Sequence, residues 1–243
     1  AAREAWISCY EQGGKLLITT DSYNRTPNLD ALLAEYGMTR QEGLVIENDS
    51  NYYLYGTAQT CLLPNLSSNE ITAGVTDGMH VFTPVAQGIV KGDSTDDLTL
   101  TTLLSTSSTA YAMQDYAEAT TAEQGANDPN GPFNIAVAAS NSTTGAKVVW
   151  VNCANLLNSK GIEYVAREYA SLLIGGNAQL LTSTMNWMIG EENGVVIDSK
   201  SMSAETLTVP AKATMLLGLL FTIVVPLAFI VAGIAITLVR RRR

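Results

Sequence analysis

Apolar and polar positions along the chain fall into short blocks separated by Gly, Pro, Asn and Ser, and the period of each block predicts its structure. The opening stretch around Ala5, Trp6, Ile7 and Tyr10 has helical spacing and stops at Gly13 and Gly14. KLLITTD (15–21) then reads as a short buried strand that runs into a polar loop at Asp21 to Thr26. PNLDALLAEYG follows, with Pro27 at the helix start, Leu29, Leu32, Leu33 and Tyr36 on one face and Gly37 as C-cap, and it leads into the strand GLVIE. VFTPVAQGIV (81–90) is a strand candidate that Pro84 demotes to an edge or bulge.

Residues 92–131 are dominated by Ser, Thr, Asp and Ala with one apolar patch, LTTLLST, and predict a long excursion containing a short helix and disordered turns. FNIAVAA and KVVWVN are nearly unbroken apolar runs, as expected of strands covered on both faces. Residues 162–189 show two helical patterns interrupted at Gly175 and Gly176, and GVVID predicts a last strand. Alternating elements without internal repeats predict an α/β domain around a largely parallel sheet over residues 1–198.

The pattern changes after a juxtamembrane linker at 199–210. Between Lys212 and Arg240 lie 27 uncharged residues, ATMLLGLLFTIVVPLAFIVAGIAITLV, with no amphipathic stripe. A bilayer core of about 30 Å needs about 20 residues of helix, so residues 211–239 predict one transmembrane helix, with Pro226 near its middle. Arg240, Arg241, Arg242 and Arg243 form a basic tail directly after it, which by the positive-inside rule places the C-terminus in the cytoplasm and the bulk of the chain outside it. The chain starts at Ala1 with neither a charged leader nor an apolar signal core, so it reads as the C-terminal part of a longer protein whose preceding part supplies export.

Charge sharpens the picture. Nine of the 14 basic residues and all 23 acids precede residue 210, a formal charge of −14 there, which disfavours nucleic acid and anionic headgroups as partners of the outer domain. Candidate chemistry is sparse. His80 is the single histidine, and no nucleophile elbow, phosphate loop, dinucleotide fingerprint or zinc-protease motif occurs, so no cofactor or metal is expected. Cys153 follows a strand where a nucleophile could sit, but nothing beside it in sequence would lower its pKa, and a small buried residue explains it as well. Cys9, Cys61 and Cys153 leave any disulfide unassigned. The acidic stretches 47–51, 92–97 and 127–131 have calcium-loop composition but no calcium-loop spacing, and read as solvated loops.

Several segments together resemble a known family. GGKLLITTD followed by LDALLAEYGM and GLVIE, then VVWVNCANLLN, GGNAQLLTSTMNWMIGEENGVVIDSKS, and LTVPAKAT with the terminal span and its arginines, resemble the auxiliary component of gliding-motility-type ABC transporters (GldG-like). Gly176, Asn177, Asn186 and Trp187 keep that family's pattern, with Asn177 expected as a helix cap and Trp187 as core or interface; Asn152, Cys153, Ala154 and Asn155 replace its acidic run. The resemblance implies a sheet fold like that of glutamine amidotransferases or flavodoxins without catalytic machinery. It also implies a subunit of a cell-membrane transport system that works beside an ABC permease and a cytoplasmic ATPase. Two other classes stay open: a tethered hydrolase using Cys153, and a surface module for glycan or protein, for which the Tyr52, Tyr53 and Tyr55 cluster is the candidate.

The topology is tested by protease access in right-side-out vesicles. Residues 1–209 should be digested without permeabilisation, and their protection would reverse the assigned orientation.

Overall fold

A computed structural model describes residues 8, 12–54, 58–76, 78–157 and 167–190, and near the C-terminus residues 220–224, 226–227, 233 and 240–241. The chain divides into two compact units, Ala1–Ser201 and Met202–Arg243.

In the first unit the strands are β1 (Lys15–Thr19), β2 (Met38–Arg40), β3 (Leu44–Ile46), β4 (Cys61–Leu62), β5 (Asn65–Leu66), β6 (Thr83–Pro84), β7 (Ile89–Lys91), β8 (Leu98–Ser105), β9 (Tyr111–Met113), β10 (Asn134–Asn141) and β11 (Lys147–Val151). The α-helices are α1 (Pro27–Glu35) and α2 (Arg167–Ile189). The result is a mixed α/β fold dominated by its sheet. Seven strands form the main sheet in the order β1-β11-β10-β7-β2, with β8 also on β10 and β5 on β8, while β3-β9 and β4-β6 are separate pairs.

The expectation of a largely parallel sheet is corrected here. β1 pairs with β11 in parallel, Lys15 opposite Lys147 through Thr19 opposite Val151. The other pairings in the main sheet, β10 with β11, β7 and β8, β2 with β7, and β5 with β8, are antiparallel. The reason lies in the connections: β10 passes to β11 through residues 142–146, too short for the crossover a parallel neighbour needs, whereas β1 and β11 are joined through the whole intervening chain.

The central strands alternate between two cores. Ala136, Ala138, Val149 and Val151 belong to one cluster together with Leu180 and Met188 of α2. Val137, Ala139, Val148 and Trp150 belong to the other, with Leu32, Leu33 and Tyr36 from α1 and the turn after it. Burial on both faces is why these strands carry almost no polar residue. LTTLLST, expected within a helical excursion, is instead the core of β8, where Leu100, Leu103 and Leu104 are buried and the threonines suit a pleated strand. Gly37 ends α1 as expected, with φ +69° and its N–H donating to the Ala34 carbonyl at 3.0 Å.

The two helical patterns expected around Gly175 and Gly176 are one continuous helix, α2. Gly176 is a point of contact rather than a break: a Cβ there would stand 2.0 Å from the His80 carbonyl oxygen. Helix propensity loses to this close approach, since only Gly lets α2 touch the 80–82 segment.

Of the N-terminal helix expected around Ala5 to Tyr10 only Ser8 is described, and it is helical; the strand GVVID and most of the span at 211–239 lie outside the described residues. Among the described residues no helix is long and apolar enough to cross a membrane. In the second unit Leu220–Val224 form a π-helical turn, and Pro226, Leu227, Arg240 and Arg241 are helical.

Gly176→Ala should destabilise the domain by about 1–3 kcal/mol, as overpacking against backbone does. A urea midpoint equal to wild type would contradict the close approach.

Candidate functional site

The C-terminal ends of β1 and β11 lie side by side because the pair is parallel. Thr20 follows β1, Asn152 follows β11, and Arg40 ends β2. β7 brings the third approach: Gln87 N–H donates to the Asn152 carbonyl at 3.0 Å and Gln41 N–H to the Gly88 carbonyl at 2.9 Å. Residues distant in sequence thus meet at one end of the sheet, where open α/β sheets commonly receive ligands.

Arg40 is the centre of this cluster. Its side chain is 5% exposed, and Nη2 contacts Asp30 Oδ1 of α1 at 2.9 Å. Nη2 also donates to Thr26 Oγ1 at 3.2 Å, and Nη1 donates to Gln87 Oε1 at 2.8 Å and Asn152 Oδ1 at 3.1 Å. The guanidinium carbon stands 5.8 Å from the centre of the buried Trp150 ring, within cation–π range. Thr20 links the layers: its hydroxyl accepts from Trp150 Nε1 at 2.8 Å and donates to Asn152 Oδ1 at 2.6 Å. Asn152 Nδ2 in turn donates to the Gly88 carbonyl at 3.0 Å.

A cleft of about 330 Å³ opens over this network, the size of a small-molecule pocket. Arg40, Gln87 and Ser22 contribute to its wall, and Tyr23, Arg25 and Glu42 stand among its outer residues. Arg25 and Glu42 form a two-pronged exposed ion pair, both contacts 2.7 Å. Tyr23 is 65% exposed and meets Tyr116 edge-on, ring centres 5.7 Å apart, while the Tyr116 hydroxyl donates to the Ser22 carbonyl at 2.5 Å. Burial raises the Tyr116 phenol pKa above its ordinary value, with the neighbouring Tyr23, Asp21 and Glu42 adding to the rise and Arg25 opposing it. Two polar atoms of these residues, Arg40 Nε and Ser22 Oγ, lie beneath the cleft surface without a hydrogen-bond partner.

The residues singled out in the sequence fall elsewhere, apart from Asn152. Cys153 is fully buried, its thiol donates to the Pro84 carbonyl at 3.2 Å, and burial pushes it up to about 12. It does not line the cleft, and His80 is exposed at the start of the otherwise buried 80–82 segment that α2 contacts. Asn177 is inside α2 rather than at its start, so it is not a cap. Its amide clasps the backbone of Phe82, accepting from the N–H at 2.7 Å and donating to the carbonyl at 3.0 Å. Trp187 lies under the Lys147 ammonium, 4.4 Å from its ring centre, and its indole N–H donates to Glu70. The Asn186 carbonyl accepts the Gly190 N–H at 3.0 Å. Gly176, Asn177 and Trp187 therefore dock α2. Pro226 and Arg240 are exposed in the second unit, and Arg242 and Arg243 lie outside the described residues.

Glu47, in one of the acidic stretches, is 1% exposed and held by the Ser107 hydroxyl at 2.7 Å and the Asp49 N–H at 3.1 Å, so it organises a loop. Tyr52 and Tyr53 are half-buried, Tyr53 bridging to Leu62, and Tyr55 lies outside the described residues. Among the described residues no group of His, Cys, Asp or Glu is arranged to hold a metal ion. Sequence reasoning missed Arg40, Asp30, Gln87, Tyr23 and Tyr116; Arg40 stands in a polar run, Thr39 to Glu42, that gives no local sign of its burial.

No protein-family model matches the chain, and no curated protein matches it either. Four solved chains match its fold. One is described as the mmIFT52 N-terminal domain, at TM-score 0.52 and 14% identity, covering 76% of this chain and 69% of that one. At that identity the likeness is one of fold.

Arg40→Ala should cost about 3–5 kcal/mol, because it strands Asp30 and the amide oxygens that Arg40 satisfies. Arg25→Ala should cost under about 1 kcal/mol, since its pair with Glu42 is exposed to solvent. Urea unfolding of the two variants checks the contrast, and equal losses would remove Arg40 from its central place.

Proposed function

We propose that this chain is a non-catalytic, membrane-anchored extracytoplasmic subunit of an ABC-type transport system, and that its outer domain binds a ligand or partner through the Arg40 cleft. The observation that carries the non-catalytic part is Cys153: a thiol with no exposed surface, a pKa of about 12 and a carbonyl as its hydrogen-bond partner is a core residue, not a nucleophile. The cleft by contrast has the furnishing of a recognition site, a rigid wall of hydrogen-bonded side chains beneath exposed, adaptable ones.

Support for the transport setting is the GldG-like pattern, whose Gly176, Asn177 and Trp187 each have a defined packing role. The parallel β1–β11 pair supports a flavodoxin-like or amidotransferase-like ancestry for this end of the sheet. Phe221, Ile223 and Leu227 expose between 52% and 66% of their surface, as side chains facing lipid do. A permease and a cytoplasmic ATPase are the proposed partners, with the bilayer around the anchor.

Co-purification in mild detergent tests the assembly: permease and ATPase should be recovered with the intact chain and lost when residues 213–239 are exchanged for an unrelated span. Cys153→Ser should leave transport intact, and a ten-fold loss in a folded variant would favour the hydrolase reading. The thiol also has an alkaline signature. Its folded pKa exceeds the unfolded one, so its contribution is intact below about pH 8.5 and is lost as pH rises toward 12. Cys153→Ser should therefore unfold less readily than wild type, each relative to its own stability at pH 7, between about pH 9 and 11.

A further inference from the structure

The outward face of α2 carries unusual chemistry for a face that meets only water. From Gly175 onward its exposed residues are Ala178, Thr182, Met185 and Ile189, while Asn177, Leu180, Ser183, Thr184 and Met188 are buried against the domain. The exposed four are spaced by four, three and four, the seam of a helix that packs along another helix. A surface helix ordinarily turns charged side chains to solvent, yet no Asp, Glu, Lys or Arg occurs from Tyr169 to Ile189, in a domain that is strongly acidic elsewhere. Leu157, Met185 and Ile189 each expose half or more of their surface, and they are three of the five large apolar side chains exposed among the described residues of the first unit. Apolar exposure gathered on one face marks an interaction surface. Leu157 belongs to it because Asn177 Nδ2 donates to the carbonyl of the preceding Leu156 at 3.3 Å, which puts Leu157 beside the Ala178 end of the stripe.

The stripe is graded in size, small at Ala178 and Thr182 and large at Met185 and Ile189. Two copies of α2 laid antiparallel about a two-fold axis set Ile189 of one on Ala178 of the other and Met185 on Thr182, so every contact is large on small. Parallel packing would instead crowd Ile189 on Ile189 and leave a gap at Ala178. A two-fold contact uses one patch twice and therefore needs this self-complementarity. Charge points the same way: acidic surface elsewhere repels a second copy, and this face has no charge to repel or desolvate.

We propose that the Ala178–Thr182–Met185–Ile189 face of α2 is a homodimer contact, seated on the same face of a second copy in antiparallel register. A standard interface engages roughly 20–30 residues a side, many more than this stripe supplies, so the contact is weak between dilute chains. Two chains anchored in one bilayer meet at a far higher effective concentration, which can reach the mM range. The strength of the dimer rests on the anchored reading above; its geometry does not.

Two differently tagged full-length chains test it, one Thr182→Cys and the other Met185→Cys, co-expressed without permease or ATPase and oxidised in isolated membranes. Cys61 and Cys153 are buried and stay out of the reaction, and Cys9→Ser in both chains removes the other native thiol. Facing residues of close-packed helices come within disulfide reach. The mixed disulfide should exceed both like-with-like products, and an Asp93→Cys pair, exposed elsewhere, should give little. Ala178→Glu in both chains should weaken the association about ten-fold or more, with a urea midpoint near wild type because the position is exposed and Glu suits a helix. A mixed disulfide no more abundant than the like-with-like products or the Asp93 control overturns the proposal, as does one indifferent to Ala178→Glu. Loss of permease recovery in Ala178→Glu without any mixed disulfide also overturns it and gives the face to the permease. A chain absent from the membrane fraction defeats the anchored reading alone, and the same excess is then required of the soluble pair at about 1 mM. A mixed disulfide that forms although permease and ATPase are never recovered supports the dimer and removes the transport setting alone.

Discussion

A guanidinium taken out of water is the constraint on which this domain is organised. Burying an unpaired cation costs several kcal/mol after relaxation, so Arg40 can sit at the sheet end only if elements distant in the chain converge on it. Asp30 comes from α1, Gln87 from the approach to β7 and Asn152 from the end of β11. Each brings its backbone with it. The parallel register of β1 and β11 then follows as the arrangement that puts Thr20 beside Asn152, and Trp150 beneath the cation closes the network from the core side. The same cluster forms the floor of the cleft, since Arg40 and Gln87 both belong to its lining.

How much of this the sequence disclosed depends on the range of the forces involved. β10 and β11 were plain because both of their faces are covered, which leaves an apolar run that no other element imitates at that length. α1 was plain because Pro27, the spacing of Leu32, Leu33 and Tyr36, and Gly37 are local signals that agree. β8 was hidden, since its threonines resemble a polar excursion until the partner strands and the buried Leu100, Leu103 and Leu104 are seen. The polar site was hidden for a stronger reason: Arg40 meets Asn152 across 112 positions of sequence, and no motif spacing encodes such a meeting.

The docking of α2 shows the same lesson from the other side. Gly175 and Gly176 read as a helix interruption because glycine is a poor helix former, yet the helix continues and the missing Cβ at Gly176 admits the His80 carbonyl. Once the backbones are that close, Asn177 replaces a neighbouring strand for Phe82, supplying both the acceptor and the donor that its peptide groups require. Gln179 repeats the device at Thr76, accepting from its N–H at 3.0 Å. Gly176, Asn177 and Gln179 on this helix are thus a matched set in which the glycine permits contact and the amides satisfy what the contact buries.

Asn152 shows why an amide rather than an acid suits the end of β11. Its Oδ1 accepts from Arg40 and Thr20 while its Nδ2 donates to the Gly88 carbonyl, and an ionised carboxylate could do only the first of these. An acid there would pair with Arg40 more strongly but leave the Gly88 carbonyl without that donor, and it would add a second negative charge beside Asp30 around a single guanidinium. With asparagine the ion pair is one to one and the amide ties β11 to the segment before β7. The network is therefore near electrical balance in its own right, with the Arg40 charge matched by Asp30 and the remaining contacts neutral.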